Sequence, residues 1–207
     1  IGYASERIIN AATMNYLFKK LHSYLLENPV IRNREDEEFI KEFFNNPLLQ
    51  NEEQAITFES RLNYYRIYMN YFHAANNPKE EFEYGSRLAE YIFENSGKII
   101  INPLNVYRIY LRFLITCLRA KKYSVFFTHL SKLRKIHSTY GIKLTKDIQL
   151  VIIESYGLEM NFYNNCGEFD KAVITAGRFE NEFLELESSI HILSRFSFYY
   201  NIAVAYF

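Results

Sequence analysis

Apolar residues recur three or four positions apart along most of the chain, which is the spacing of one face of an α-helix. Short turn sequences such as Asn28-Pro29, Asn76-Asn77-Pro78 and Cys166-Gly167-Glu168 separate these stretches. Proline and glycine end helices at such points. The pattern predicts about nine helices, near residues 5–27, 34–44, 51–75, 78–95, 103–120, 123–140, 146–165, 170–187 and 189–207.

The segment Lys98 to Ile101 is the one short apolar run outside this helical pattern. It could form a strand, but nothing else in the chain has a β-like pattern. We interpret it as a buried connector between two helices. With only 7 glycines and 4 prolines in 207 residues, the chain favours long helices with short turns, and therefore an all-α fold.

A short sequence occurs twice: Tyr65-Arg66-Ile67-Tyr68 is repeated as Tyr107-Arg108-Ile109-Tyr110, 42 residues later. Pairing the predicted helices gives further units that begin near Ile153 and Phe196. Repeats of roughly 20–50 residues are typical of solenoid proteins, in which each helical hairpin buries its apolar face against its neighbours. The chain is therefore predicted to be a helical repeat protein.

Two stretches resemble the tetratricopeptide repeat. In residues 161–176, the aromatic, turn-glycine, aromatic and small positions of that family are occupied by Tyr163, Gly167, Phe169 and Ala172. Residues 199–207 are similar to the opening of a first helix of the repeat. The unit that begins at Tyr107 departs from the pattern, with Lys121 at the turn and Phe126 at the small position, and the resemblance is weak before residue 153.

The resemblance implies a right-handed α-α superhelix of antiparallel helical hairpins. We expect a single domain over 1–207, with an N-terminal hairpin in 1–50 and repeats in 51–207. In the family, the first helices line a concave groove that binds peptides, so the resemblance implies a non-catalytic scaffold for a protein or peptide. The groove residues that the resemblance implies by position are Arg66, His73, Arg108, Arg112, Arg119, Asn161, Asn164 and Asn165. By the same correspondence Glu154 and Ser197 also face the groove.

Two groups in this set suggest specific contacts. The repeated sequence places Arg66 and Arg108 at the same repeat position, and a pair of guanidinium groups can hold a carboxylate. They could instead pair with the protein's own glutamates. The asparagines at the end of the seventh helix offer both donors and acceptors to a peptide backbone, or they could serve only the turn before Gly167.

Composition excludes some functions. The formal net charge is zero, so the basic excess that nucleic-acid binding requires is missing. No uncharged run reaches the ~18 residues of a membrane span, and we expect no membrane partner. No metal-binding or catalytic motif occurs, so we expect no cofactor, no metal and no enzyme activity. Cys117 and Cys166 are expected to be buried and reduced, consistent with a cytoplasmic protein.

The last predicted helix carries an apolar face that no later helix covers, with Tyr199, Tyr206 and Phe207 as expected interface residues. We expect either a piece of a longer protein or a homodimer. One alternative function is therefore a dimerisation or sensor domain of a larger bacterial regulator; bacterial peptide-sensing regulators have a similar layout. A remote alternative is a helical ribonuclease, since Arg66 and His73 resemble the Arg–His motif of HEPN proteins.

Overall fold

The structure is a computed structural model that describes residues 2–178 and 180–206, without the side chains of residues 181, 182, 189, 193 and 194. The described residues form an all-α fold and contain no β-strand. The ten α-helices are α1 (Gly2–Glu27), α2 (Arg34–Phe44), α3 (Phe58–Ala74), α4 (Pro78–Glu94), α5 (Pro103–Arg119), α6 (Tyr123–Tyr140), α7 (Lys146–Asn165), α8 (Phe169–Gly177), α9 (Glu180–Leu186) and α10 (Ile192–Tyr206). They divide into two compact units, Ile1–Glu94 and Asn95–Phe207.

Most helix ends lie where the sequence predicts them because the capping residues act locally. Asn33 accepts a hydrogen bond from the backbone N–H of Asp36, and Asp36 bonds back to the backbone of Asn33, which completes a capping box at α2. The side chain of Thr145 likewise accepts a hydrogen bond from the backbone N–H of Ile148 and so caps α7. Proline occupies the first position of α5, where its missing N–H costs nothing.

Two predicted helices are wrong in extent. Asn51 caps only a short 3-10 turn, Glu52–Gln54, and α3 begins later, where Thr57 and Ser60 form a capping box. The predicted helix over 170–187 is two helices, since α8 ends at Gly177 and α9 follows. Glycine is a poor helix former, which favours an interruption there.

Two burial predictions also need correction. Of the apolar connector, Ile99 is fully buried, but Ile100 and Ile101 are 58% and 72% exposed. Cys117 is buried, and this burial raises the pKa of its thiol to about 12. Cys166, in contrast, is exposed, because it lies in the turn that follows α7.

Three helical hairpins share one turn geometry. Asn76, Lys121 and Gly167 each adopt a positive φ, of 50°, 55° and 73°. In each turn the next backbone N–H donates to the carbonyl five residues earlier, at 2.8 Å: Asn77 to Phe72, Lys122 to Cys117, and Glu168 to Tyr163. This is the Schellman pattern that satisfies the last carbonyls of a helix. The turns inside these three hairpins therefore recur at intervals of 45 and 46 residues, and Gly141, which ends α6, has the same geometry between two hairpins.

This spacing corrects the register that the repeated tetrapeptide predicts. The turns place Arg66 in register with Leu111, and Arg108 in register with Glu154. The 42-residue repetition is thus three residues out of step with the structure, almost one helical turn. Counted from these turns, Arg66 and Arg108 do not fall at the same position of their hairpins.

Replacing Lys121 with glycine is expected to stabilise the protein. A side chain in the left-handed region costs roughly 1 kcal/mol that glycine does not pay, so the Lys121→Gly variant should gain about that much free energy of unfolding. Lys122 has an ordinary negative φ of −90°, and Lys122→Gly should gain nothing or lose stability. Urea unfolding followed by circular dichroism measures both; equal effects would contradict the explanation.

In the first unit, α3 packs between α1 and α4. The buried face of α1 contributes Met14, Leu17 and Leu21. Between α3 and α4, the rings of Tyr68 and Tyr84 stack with centroids 4.5 Å apart. Stacked aromatic pairs add to the free energy gained from burial, so this stack strengthens the contact between α3 and α4.

In the second unit, α7 is the central helix. It packs against α5, α8 and α10, while α5 also pairs with α6. Tyr107, Tyr110 and Phe113 of α5 are almost completely buried. Helices α5 and α10 therefore both pack against α7 within this unit, and one face of α7 is left to line a cleft.

Candidate functional site

A cleft of 340 Å³ lies in the second unit, within the size range of small-ligand sites. Its main wall is α7, with α5 contributing Arg108 on one side. The opposite side comes from the connection before α10 and from α10 itself, at Ile190, His191 and Ser197. All of these residues belong to one compact unit.

The wall of the cleft is a single stripe along α7. Its members follow one another at three- or four-residue spacing, or as adjacent pairs, so they share one face of the helix. They are Asp147, Leu150, Val151, Glu154, Gly157, Leu158 and Asn161. The stripe begins acidic, continues apolar and ends in an amide. At 1.5 Å per residue it is about 21 Å long.

The floor of the cleft is apolar and rigid. Phe183 and Phe198 are 0% and 5% exposed and stack with ring centroids 3.6 Å apart. Ile153 and Ile190 belong to the same buried cluster. Their packing fixes the shape of the floor, since close-packed side chains leave little freedom to rearrange.

Gly157 stands in the middle of α7 and lines the cleft. A methyl group added at this position would have no neighbour within 4 Å. Glycine inside a helix costs roughly 0.5–1 kcal/mol relative to alanine. The packing of the protein therefore gives no reason for a glycine here. Its effect is to leave the helix backbone open to the cleft.

Two residues of opposite charge, Arg108 and Glu154, line the cleft. Arg108 and Glu154 lie in register in successive hairpins, 46 residues apart. Burial raises the pKa of the Glu154 carboxyl, and the positive charge of Arg108 opposes that rise. Desolvation favours the neutral acid, and a nearby cation favours the carboxylate. The Glu154 side chain is exposed in the cleft, so its carboxylate is accessible to a second cation.

The structure brings two of the predicted groove residues into this cleft, Arg108 and Asn161. Glu154 and Ser197, which the resemblance also places on the groove face, line it too. Arg112 and Arg119 lie half-buried further along α5 and are not part of the lining.

The other two predicted asparagines have structural partners. The amide of Asn164 donates to the carbonyl and side-chain oxygens of Asn201, at 2.8 and 3.2 Å, and so joins α7 to α10. Asn165 donates to the side chain of Asn161 at 2.9 Å. Asn165 can therefore orient the Asn161 amide that lines the cleft, whereas Asn164 holds two helices together.

The predicted groove residues of the first unit contact other helices of that unit. The guanidinium of Arg66 lies 3.8 Å from the ring centroid of Phe18 in α1, a cation–π contact, and burial lowers the Arg66 pKa to about 10. His73 instead lies 3.1 Å from the fully buried carboxylate of Glu81 in α4. The two side chains turn to different helices, so the geometry does not favour the ribonuclease motif.

The expected interface residues lie on α10. The hydroxyl of Tyr199 donates to Glu187 at 2.9 Å, which raises the Tyr199 pKa. Tyr206 is 69% exposed. Phe207 lies outside the described residues.

Sequence reasoning missed Asp147, Gly157 and His191. The first two could have been found, because they continue the helical spacing from Glu154 and Asn161 on α7. No spacing pattern in the sequence marks the connection that carries Ile190 and His191 as part of the cleft. Its position depends on where α9 ends and how α10 returns to α7.

Comparison with protein-family models, curated proteins and solved structures finds no match to this chain. None of the described helices combines the length and apolarity needed to cross a membrane. The case for a function therefore depends on the cleft itself.

Proposed function

We propose that this chain is a non-catalytic scaffold that binds a short extended peptide in the α7 cleft. The observation that carries this proposal is Gly157, a helix glycine that faces the cleft and has no packing role. An open helix backbone lets a ligand approach closely. The resemblance to tetratricopeptide repeats supports the same conclusion, because that family binds peptides with its first helices.

The dimensions of the cleft suit a short extended peptide. The α7 stripe is about 21 Å long, which about six extended residues would span at 3.3–3.4 Å each. A volume of 340 Å³ accommodates a few side chains. The exposed amide of Asn161, held by Asn165, offers a donor to the peptide backbone.

Two substitutions at one position test the proposal. Selection of random octapeptides on the wild-type protein should enrich a set of related sequences. These peptides should lose at least about tenfold in affinity for Gly157→Phe, whose ring fills the cleft. They should retain affinity for Gly157→Ala, which should also gain about 0.5–1 kcal/mol in free energy of unfolding.

Affinities are measured by fluorescence anisotropy, and circular dichroism shows whether Gly157→Phe is folded. The proposal fails if the wild-type protein enriches no related peptides. It also fails if a folded Gly157→Phe variant binds them as tightly as the wild type does.

A second candidate function is self-association through α10. Three aromatic residues of this helix, Phe196, Tyr200 and Tyr206, are 67–69% exposed to solvent. Large exposed apolar patches often mark interfaces. Sedimentation velocity over a wide range of concentration tests this candidate. A dimer that Tyr200→Glu dissociates would support it, and a wild-type monomer at every concentration would reject it.

A further inference from the structure

The α7 cleft contains more negative than positive charge. Among its described lining residues, Asp147 and Glu154 are acidic, and Arg108 alone carries a permanent positive charge. Neither carboxylate has a hydrogen bond or an ion pair within 4.0 Å to any described residue. Both groups are therefore free to receive a ligand.

The space between the two carboxylates is apolar. Asp147 and Glu154 are seven residues apart on one face of α7, roughly two turns or 10 Å. Leu150 and Val151 lie between them on that face. Such a surface suits the long aliphatic stem of a basic side chain, which packs on apolar groups while its charged end reaches a carboxylate.

We propose that the peptide in this cleft carries a lysine or arginine whose stem lies on Leu150 and Val151 and whose charge lies between Asp147 and Glu154. This inference rests on the proposed peptide-binding function and adds the chemistry of its ligand. It differs from the expectation that arginines would grip a ligand carboxylate. An acidic side chain at this position would meet two carboxylates and only the single charge of Arg108.

Glu154 is the more central of the two contacts, since it stands midway along the α7 stripe that Asp147 begins. Partial burial raises the pKa of its carboxyl, and the charge of Arg108 opposes that rise. A charge-assisted contact in a partly buried site is stronger than one at an open surface. Removing the charge of Glu154 should therefore cost more affinity than removing that of Asp147.

The peptides selected on the wild-type protein should share a basic residue at one position. Three fluorescent versions of the tightest octapeptide, with lysine, norleucine or glutamate there, separate charge from stem packing. The norleucine peptide should bind roughly tenfold more weakly than the lysine peptide, and the glutamate peptide more weakly still.

Variants of the protein complete the test. Glu154→Gln should weaken the lysine peptide roughly tenfold and leave the norleucine peptide unchanged. Glu185→Gln, an exposed glutamate of α9 outside the cleft lining, is the matched control and should change neither. Glu154→Lys should reverse the preference and favour the glutamate peptide.

The outcomes distinguish the two proposals. Peptides that need Gly157 but share no basic residue would overturn the ligand assignment and leave the peptide-binding function intact. So would equal affinity for the lysine and norleucine peptides, or tighter binding of the glutamate peptide through Arg108. Failure to select any peptide would reject the peptide-binding function itself.

Discussion

The Arg134→Met variant is expected to lose about 3 kcal/mol of its free energy of unfolding. Arg134 joins α6 to α7: it donates to the carboxylate of Glu159 at 2.7 Å and to the hydroxyl of Ser155 at 3.1 Å. The two charged side chains are only 18% and 6% exposed. Removing one member of such a pair leaves an uncompensated buried charge, which typically costs 3–5 kcal/mol.

The same substitution at an exposed ion pair is the control. Arg34 and Glu38 pair at 2.8 Å, but their side chains are 89% and 65% exposed. Arg34→Met should therefore change the unfolding free energy by less than about 0.5 kcal/mol. The double variant Arg134→Met, Glu159→Leu should recover much of the loss, because it leaves no buried charge unpaired. Urea unfolding measures all three; a small loss in Arg134→Met would contradict the role of the pair.

Mild acid is expected to destabilise the protein through His129. This histidine of α6 is hydrogen-bonded to the buried hydroxyl of Tyr110 in α5. Burial, reinforced by the charge of Lys132, lowers the His129 pKa from 6.5 to about 4. In the tautomer whose Nδ1 carries no proton, the neutral ring accepts the hydrogen bond from the Tyr110 hydroxyl, and protonation removes that acceptor.

The direction of this pH effect on stability follows from proton linkage. Because the unfolded chain binds the proton more tightly, the contribution of His129 to stability is complete above about pH 6.5. It is lost progressively as the pH falls from about 6.5 to about 4. Relative to pH 7.5, the free energy of unfolding should fall by about 2 kcal/mol at pH 5 through this group alone.

The control for this effect is His129→Gln, whose side-chain oxygen can still accept from Tyr110 but does not titrate. Urea unfolding at several pH values should show that the wild type loses about 2 kcal/mol more than the variant between pH 7.5 and 5. Other titrating groups act on both proteins and cancel in the difference. Parallel pH profiles would show that His129 is not the responsible group.

The candidate site shows what the spacing of residues along one helix can predict. Glu154 and Asn161 are seven residues apart, so any helix through them puts both on one face, and the capping Thr145 makes that helix predictable. Arg108 of α5 also lines the cleft. The identity of a helix face is a local property, and local properties are encoded in short stretches of sequence.

The spacing between successive hairpins could not be predicted from residue spacing in the same way. A repeated tetrapeptide suggested 42 residues, whereas the backbone turns at Asn76, Lys121 and Gly167 recur at 45 and 46. Three different residues occupy the same left-handed position, so no residue identity marks the turn. Only the backbone dihedral angles and the hydrogen bonds across each turn reveal the correspondence.

The sequence by itself determined the helices of this protein, most of their ends and the hairpin pattern, because caps, prolines and apolar spacing act within a few residues. The tertiary structure alone decided which polar residues meet. It placed Arg66 over Phe18, joined Asn164 to Asn201 and set Arg108 near Glu154. Such contacts depend on how helices distant in sequence pack together, and the spacing along one helix carries no information about its neighbour.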